Sequence, residues 1–296
     1  MPIGENTAKL APVGVTFSDF FAKPAEKKDH SKSSFLYMGQ EGAGKTTTAL
    51  KHSTFWQSDV LQDAVLITYS FGGANCLASY GKHVDTIDIF KDMIERGITS
   101  LAVYESTFVW PLLTAAREQG KTLFVFDEIT TRGTEELAQI EASTALTASG
   151  AQNKLDIWTQ FTNRTQAFIA RALTTPGVQI VATAHAKVFD PKVIGKDDGV
   201  AAAKKSFSNP TQAKFAIALP GQAGFKFQHA FDTVLWSDRR IDPKKGTKEY
   251  FVRHDATGGY PTKTRFEKFL PEGDYPADGG AINKLIVDGV EKEYTK

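Results

Sequence analysis

Cysteine is nearly absent from this 296-residue chain, with Cys76 its only example. A single cysteine excludes an intramolecular disulfide and a cysteine-rich zinc site, and predicts a buried or inert thiol. Long apolar runs are missing too: none approaches the ~20 residues that a membrane-spanning helix requires. Met1 to Leu10 lacks the basic-then-apolar layout of a secretory signal, so a cytosolic location is expected. Neither sign of charge dominates. The chain carries 35 Lys and Arg against 34 Asp and Glu, a net charge of +1, so any nucleic-acid surface must be a local patch and not a global field. Internal repeats and low-complexity tracts are also lacking. What is present is the composition of an ordinary soluble protein, 41% hydrophobic and 23% charged, on a chain long enough to bury a substantial core.

Residues 1–32 combine a short apolar stretch, Val15 to Phe21, with a polar run from Lys23 to Lys32 that reads as a flexible linker. Beyond it, short apolar runs alternate with segments of helical length: Phe35 to Met38, Ala64 to Thr68, Val84 to Ile89, Leu123 to Phe126 and Val178 to Thr183. Runs of this length between turn residues suit strands covered on both faces, and the intervals suit helical crossovers. The pattern predicts an α/β fold with a mainly parallel, doubly wound sheet. Helices are expected from Val109 to Gln119, stopped by Gly120, and from Asp156 to Leu173, stopped by Pro176-Gly177. After residue 212 the texture turns strand-like at Lys214 to Leu219, Phe231 to Trp236 and Tyr250 to Arg253, with a turn expected across Arg239 to Lys248. The stretch from Pro271 is rich in Gly, Asp and Pro and reads as a C-terminal tail, 271–296, behind a core of residues 33–270.

Three features carry chemistry. Gly39, Gln40, Glu41, Gly42, Ala43, Gly44, Lys45 and Thr46, followed by Thr47, form a complete phosphate-binding loop between a strand and a helix. The glycines let backbone N–H groups face inward as an anion cradle; Lys45 would reach the β and γ phosphates of ATP, and Thr46 would offer its hydroxyl to Mg²⁺. The run Leu123-Phe124-Val125-Phe126-Asp127-Glu128 then supplies a carboxylate at a buried strand tip. Asp127 is read as the metal-shell residue, and Glu128 as the group that orients or deprotonates the attacking water, unless it is merely a surface acid at a strand end. Third, Val181-Ala182-Thr183-Ala184-His185 ends a buried strand in polar groups. Ligands in open α/β sheets sit at the carboxyl ends of strands, so Thr183 and His185 belong near the γ phosphate, with a strand-capping histidine as the other reading.

Together these features, with Phe231 to Val234 and Thr262-Lys263-Thr264-Arg265-Phe266, resemble the RecA-type ATPase core, and within it the phage-encoded, core-only RecA-like proteins, some of which act as single-strand annealing recombinases. The resemblance spans most of residues 33–270. It implies assembly as a ring or filament, in which Lys263 and Arg265 reach a neighbouring subunit's triphosphate; Arg239-Arg240 is a rival source of that cation, and an ordinary basic strand the plain alternative. The family also places a mobile DNA-binding loop after the fifth strand, where Lys187, Lys192, Lys196, Lys204 and Lys205 stand with Phe189 and Phe207; a disordered insertion is the competing reading. Phe17, Phe20 and Phe21 form either an arm that docks on a neighbour or a segment packed on its own core. The sequence departs from the family at the strand after the phosphate loop, where Ala64 to Thr68 runs into Tyr69-Ser70-Phe71 without the usual catalytic glutamate.

The expected function is therefore a Mg²⁺-dependent ATPase that binds single-stranded DNA and supports recombination or annealing as a homo-oligomer, with a phage or host replication or recombination protein as a further partner. Two other readings stand beside it: an AAA-type loader or remodelling factor that acts on a protein, and a nucleotide switch with little hydrolysis. A helical bundle after residue 212 would favour the loader.

Overall fold

The computed structural model describes residues 32–70, 75–144, 153–188, 215–219, 223–242, 244, 246–255, 260 and 262–294. Its frame is one mixed sheet. The strands are β1 (Phe35–Gly39), β2 (Val60–Thr68), β3 (His83–Asp88), β4 (Leu123–Asp127), β5 (Gln179–Val188), β6 (Phe215–Ile217), β7 (Thr233–Ile241), β8 (Lys248–His254), β9 (Lys263–Thr264) and β10 (Gly273–Pro276). Eight of them lie in the order β10-β8-β7-β1-β5-β4-β2-β3, while β6 pairs with β5 and β9 with β7. Neighbours from β7 through β3 are parallel; β8, β10, β6 and β9 join antiparallel. This is the expected parallel sheet with additional strands from the C-terminal part.

The helices are α1 (Lys45–Leu50), α2 (Asn75–Ala78), α3 (Ile89–Arg96), α4 (Leu101–Tyr104), α5 (Trp110–Glu118), α6 (Ile129–Ser143), α7 (Lys154–Leu173), α8 (Ala223–Ala230) and α9 (Gly279–Tyr294), with a π-helical turn at Glu105–Val109 between α4 and α5. Every residue of β1 and of β4 is buried, as strands covered on both faces must be. Alternation sorts their side chains into two clusters. Leu36, Met38, Phe124, Phe126, Ile180 and Ala182 pack with Ile89, Met93, Trp110 and Phe168 on one face. Phe35, Tyr37, Leu123, Val125, Val181 and Leu235 pack with Leu50, Ile282 and Ile286 on the other. Local chemistry fixes the helix ends. The Asp88 carboxylate accepts from Lys91 N at 3.2 Å to start α3, and Gly97, at φ 66°, ends it.

The structure departs from the sequence reading in two places. Residues 273–294, expected as a tail, add β10 and α9 to the same fold, and Ile282, Ile286 and Val290 bury one helical stripe in the core. The broad turn at 239–248 is shorter, because β7 runs on to Ile241 and β8 begins at Lys248. A long helix, α6, directly follows Glu128. Its Arg132 is fully buried: Nε and Nη2 donate to the two Glu105 oxygens at 2.8 Å each, and Nη1 donates to Glu136 at 2.7 Å. The Tyr69 hydroxyl donates to Glu105 at 2.8 Å. Removing one partner from such a set leaves an uncompensated buried charge, at a cost of about 3–5 kcal/mol. The apolar cluster Phe17, Phe20 and Phe21 lies outside the described residues, as does nearly all of the 1–32 segment. Among the described residues, no helix is long and apolar enough to cross a membrane.

At the foot of α1, His52 packs on Phe35 and lies 2.8 Å from the Tyr37 hydroxyl through Nε2. Burial pushes its pKa down to about 3. A group depressed in this way keeps its full contribution to stability above the unfolded-state value, near 6.5, and loses it as pH falls toward 3, because only the unfolded chain takes up the proton. His52→Gln, which retains an acceptor for Tyr37, is predicted to flatten the fall in unfolding free energy between pH 6.5 and pH 4 by up to ~1.4 kcal/mol per pH unit. Denaturant titrations of both proteins across that range measure it, and parallel slopes would refute the assignment.

Candidate nucleotide-binding site

The loop Gly39 to Thr47 leaves the carboxyl end of β1 and enters α1. Gly42 and Gly44 lie at φ 70° and 77°, in the left-handed region where a Cβ is penalised. A Cβ would also collide with neighbours, at 2.9 Å from Arg239 Nη1 for Gly42 and 2.9 Å from Tyr250 Cδ1 for Gly44. With these glycines the chain turns tightly enough for its amides and the first turn of α1 to face one anion.

Sheet register brings the remaining groups to the same edge. Strand β5 lies between β1 and β4, with Tyr37 level with Thr183, Gly39 with His185, and Phe126 with Ala182. Asp127 is buried. Its Oδ1 accepts from Thr46 Oγ1 at 2.8 Å and from Thr183 Oγ1 at 2.6 Å. Burial raises the Asp127 pKa above the carboxylate range, the two hydroxyls oppose this, and the neighbouring Glu128 charge adds to it. The Lys45 ammonium is held by the carbonyls of Gly39 at 3.3 Å and Gln40 at 3.0 Å, and lies 3.3 Å from His185 Nδ1. Burial lowers the Lys45 pKa against the opposing charges of Glu128, Asp127 and Glu41.

His185 links the two halves of the site. Its Nε2 contacts Glu128 Oε2. An imidazole that accepts from an ammonium at Nδ1 must carry its proton on Nε2, so the ring donates to Glu128. Thr130 donates to Glu128 Oε1 and accepts from His185 N at 3.1 Å. Burial alone would raise the Glu128 pKa, yet hydrogen bonds from His185 and Thr130, with the positive charge around His185 and Lys45, hold it below its ordinary value.

Thus the structure gathers Lys45, Thr46, Asp127, Glu128, Thr183 and His185 at one edge. Thr183 bonds to Asp127, which the sequence did not indicate. Thr130 was missed; its only signal is a hydroxyl two residues past Glu128 in a first helical turn. Lys263 and Arg265 are not part of this cluster. Strand β9 pairs at Thr233 and Val234, whereas Gly39 is level with Ser237, four strand steps or about 13 Å further along. There Lys263 donates to the His229 carbonyl at 2.8 Å and Arg265 pairs with Asp232 at 3.0 Å. Lys187 is exposed near the end of β5, beside β6; Lys192, Lys196, Lys204, Lys205, Phe189 and Phe207 lie outside the described residues. The end of β2 carries Thr68 and Tyr69, with Tyr69 N donating to the Asp127 carbonyl at 2.7 Å, and no acid.

A glycine-turned phosphate loop facing a strand-tip carboxylate across an intervening strand defines a P-loop ATPase. Residues 31–266 match the AAA_24 family, described as an AAA domain, and the chain belongs to that family. No curated protein sequence matches it. Among solved structures, the KaiC-like protein PH0186 from the hyperthermophilic archaeon Pyrococcus horikoshii OT3 is similar at 11% identity over 83% of this chain and 84% of its own, with a TM-score of 0.40. The flagellar accessory protein FlaH from Methanocaldococcus jannaschii is similar at 11% identity over 79% and 82%, with a TM-score of 0.33.

Gly44→Ala should abolish nucleotide binding and lower stability by about 1–2 kcal/mol, because the substitution imposes left-handed strain and a clash with Tyr250. Calorimetric titration with ATP and denaturant unfolding test this; wild-type binding would show that the loop tolerates a side chain.

Proposed function

We propose that this protein is a Mg²⁺-dependent ATPase of the RecA type that acts on single-stranded DNA, in phage recombination or annealing, as a ring or filament. The observation that carries the ATPase part is the continuous chain Lys45–His185–Glu128 at the mouth of the phosphate loop. The residues fit the ligands. The cradle is free of side chains at Gly42 and Gly44, Lys45 is parked on neutral carbonyls, and the Thr46 hydroxyl and Asp127 carboxylate are hard oxygen donors of the kind Mg²⁺ takes. When bound, Mg²⁺ would neutralise charge on the terminal phosphates.

The chain's own groups then divide the work. Thr183 and Thr46 fix the rotamer of Asp127. Lys45 exchanges its carbonyl and His185 contacts for a terminal phosphate, which frees Nδ1 and alters the hold of His185 on Glu128. Glu128 orients the attacking water by accepting its hydrogen bond.

Lys263 and Arg265 lie toward the opposite end of the sheet from their own phosphate loop; the RecA resemblance is what supports their acting on a neighbour's triphosphate. The DNA assignment rests on the RecA resemblance and on Lys187 at the exposed end of β5. Among the described residues after 212, strands β6 to β10 join the sheet and α8 and α9 are the only helices, which speaks against a protein-remodelling loader. A nucleotide switch with little hydrolysis is the second reading, favoured by the missing acid after β2.

Glu128→Gln should lower turnover by ~10²-fold or more while ATP affinity stays within a few fold. Unchanged turnover would remove Glu128 from the chemistry, and no turnover in the parent protein would favour the switch. In the same assay, single-stranded DNA should raise turnover and bind with strong salt dependence; indifference on both counts would sink the DNA assignment.

A further inference from the structure

The antiparallel hairpin of β7 and β8 places Arg239 directly opposite Tyr250, so both side chains share one face of the sheet. That face lies against the phosphate loop. Arg239 Nη1 is 3.4 Å from the Gly42 carbonyl, and the Tyr250 ring is flush with Gly44. The two residues therefore flank the two left-handed glycines, one each. Two strand steps before Arg239, on the same face, Ser237 is level with Gly39; its Oγ is buried and has no hydrogen-bond partner among the described residues.

Charge sets Arg239 apart from the arginines near it. Arg240 pairs with Glu249, Arg253 with Asp274 and Arg265 with Asp232. Arg239, exposed and beside the anion cradle, has no carboxylate partner among the described residues. An unneutralised guanidinium next to an anion site is what a bound polyanion would satisfy. Along a phosphate loop the terminal phosphates lie toward the first glycines and Lys45, and the nucleoside leaves past the helix N-terminus. Gly42 is therefore the triphosphate end and Gly44 the nucleoside end.

We infer that the β7–β8 hairpin is a second wall of the nucleotide site, supplied by the same chain: Arg239 contacts the terminal phosphate and Tyr250 presents its ring to the base. This rests on the ATP-binding reading above. It removes Arg239 from the set of groups that act across a subunit boundary, and makes preference for triphosphate over diphosphate a property of a single subunit.

Calorimetric titration of the full chain with ATP, ADP and inorganic triphosphate, each with Mg²⁺, tests the inference. Arg239→Ala should weaken ATP about tenfold or more and leave ADP within about twofold; equal weakening of both, or none, overturns the phosphate contact. Tyr250→Ala should weaken ATP and ADP about tenfold alike and leave inorganic triphosphate unchanged, with Tyr250→Phe restoring both nucleotides. If Tyr250→Ala weakens inorganic triphosphate by the same factor, the ring merely packs on Gly44 and the base contact is overturned. Failure of the parent protein to bind any of the three ligands would overturn the nucleotide-site reading itself.

Discussion

A buried ammonium at the end of a strand is the constraint on which this site depends. Lys45 sits almost out of solvent, where an unpaired positive charge is costly, and burial lowers its pKa accordingly. Two backbone carbonyls and the Nδ1 of His185 hold it there, and they can do so only because the loop doubles back over the strand it has left. The same arrangement explains the strand order. With β5 inserted between β1 and β4, an imidazole at the end of β5 spans the gap between the lysine of one neighbour and the carboxylate of the other.

Two adjacent carboxylates are thereby given different characters. Asp127 is buried beside the Glu128 charge, so its pKa rises although two hydroxyls oppose it; Glu128 is fed by His185, Thr130 and nearby positive charge, so its pKa falls against burial. Environments that push neighbouring acids apart are a usual way to assign separate roles. Behind them, the buried set of Arg132, Glu105, Glu136 and Tyr69 ties α6 to the π-helical turn and, through Tyr69 N, to the Asp127 carbonyl. The end of β2 is thus occupied by a residue, Tyr69, that braces the carboxylate strand.

The features legible in the sequence were those written in contiguous residues. Gly39 to Thr46 and Leu123 to Glu128 each name a loop or a strand tip on their own, and the apolar runs of β1 to β5 marked the sheet to within a few residues. Features that arise from pairing across distance were not legible. Arg239 and Tyr250 are eleven residues apart, and only the hairpin register makes them face one loop. Nothing in the sequence marks Arg132 as buried; only the fold brings Glu105, from another element, against it. α9 was hidden because its start is rich in Gly, Asp and Pro, although Ile282, Ile286 and Val290 recur at four-residue spacing. Lys263 and Arg265 were recognised by type, but which end of the sheet they occupy depends on antiparallel pairing with β7.

The central claim, that Lys45 leaves His185 for a terminal phosphate, is tested most directly by the ¹⁵N resonances of the His185 ring. A non-hydrolysable triphosphate, and ADP through its β phosphate, should each shift the Nδ1 signal of the Nε2-protonated imidazole away from its nucleotide-free position, because an ammonium donor has been withdrawn. A His185 spectrum unchanged by saturating nucleotide would contradict the account.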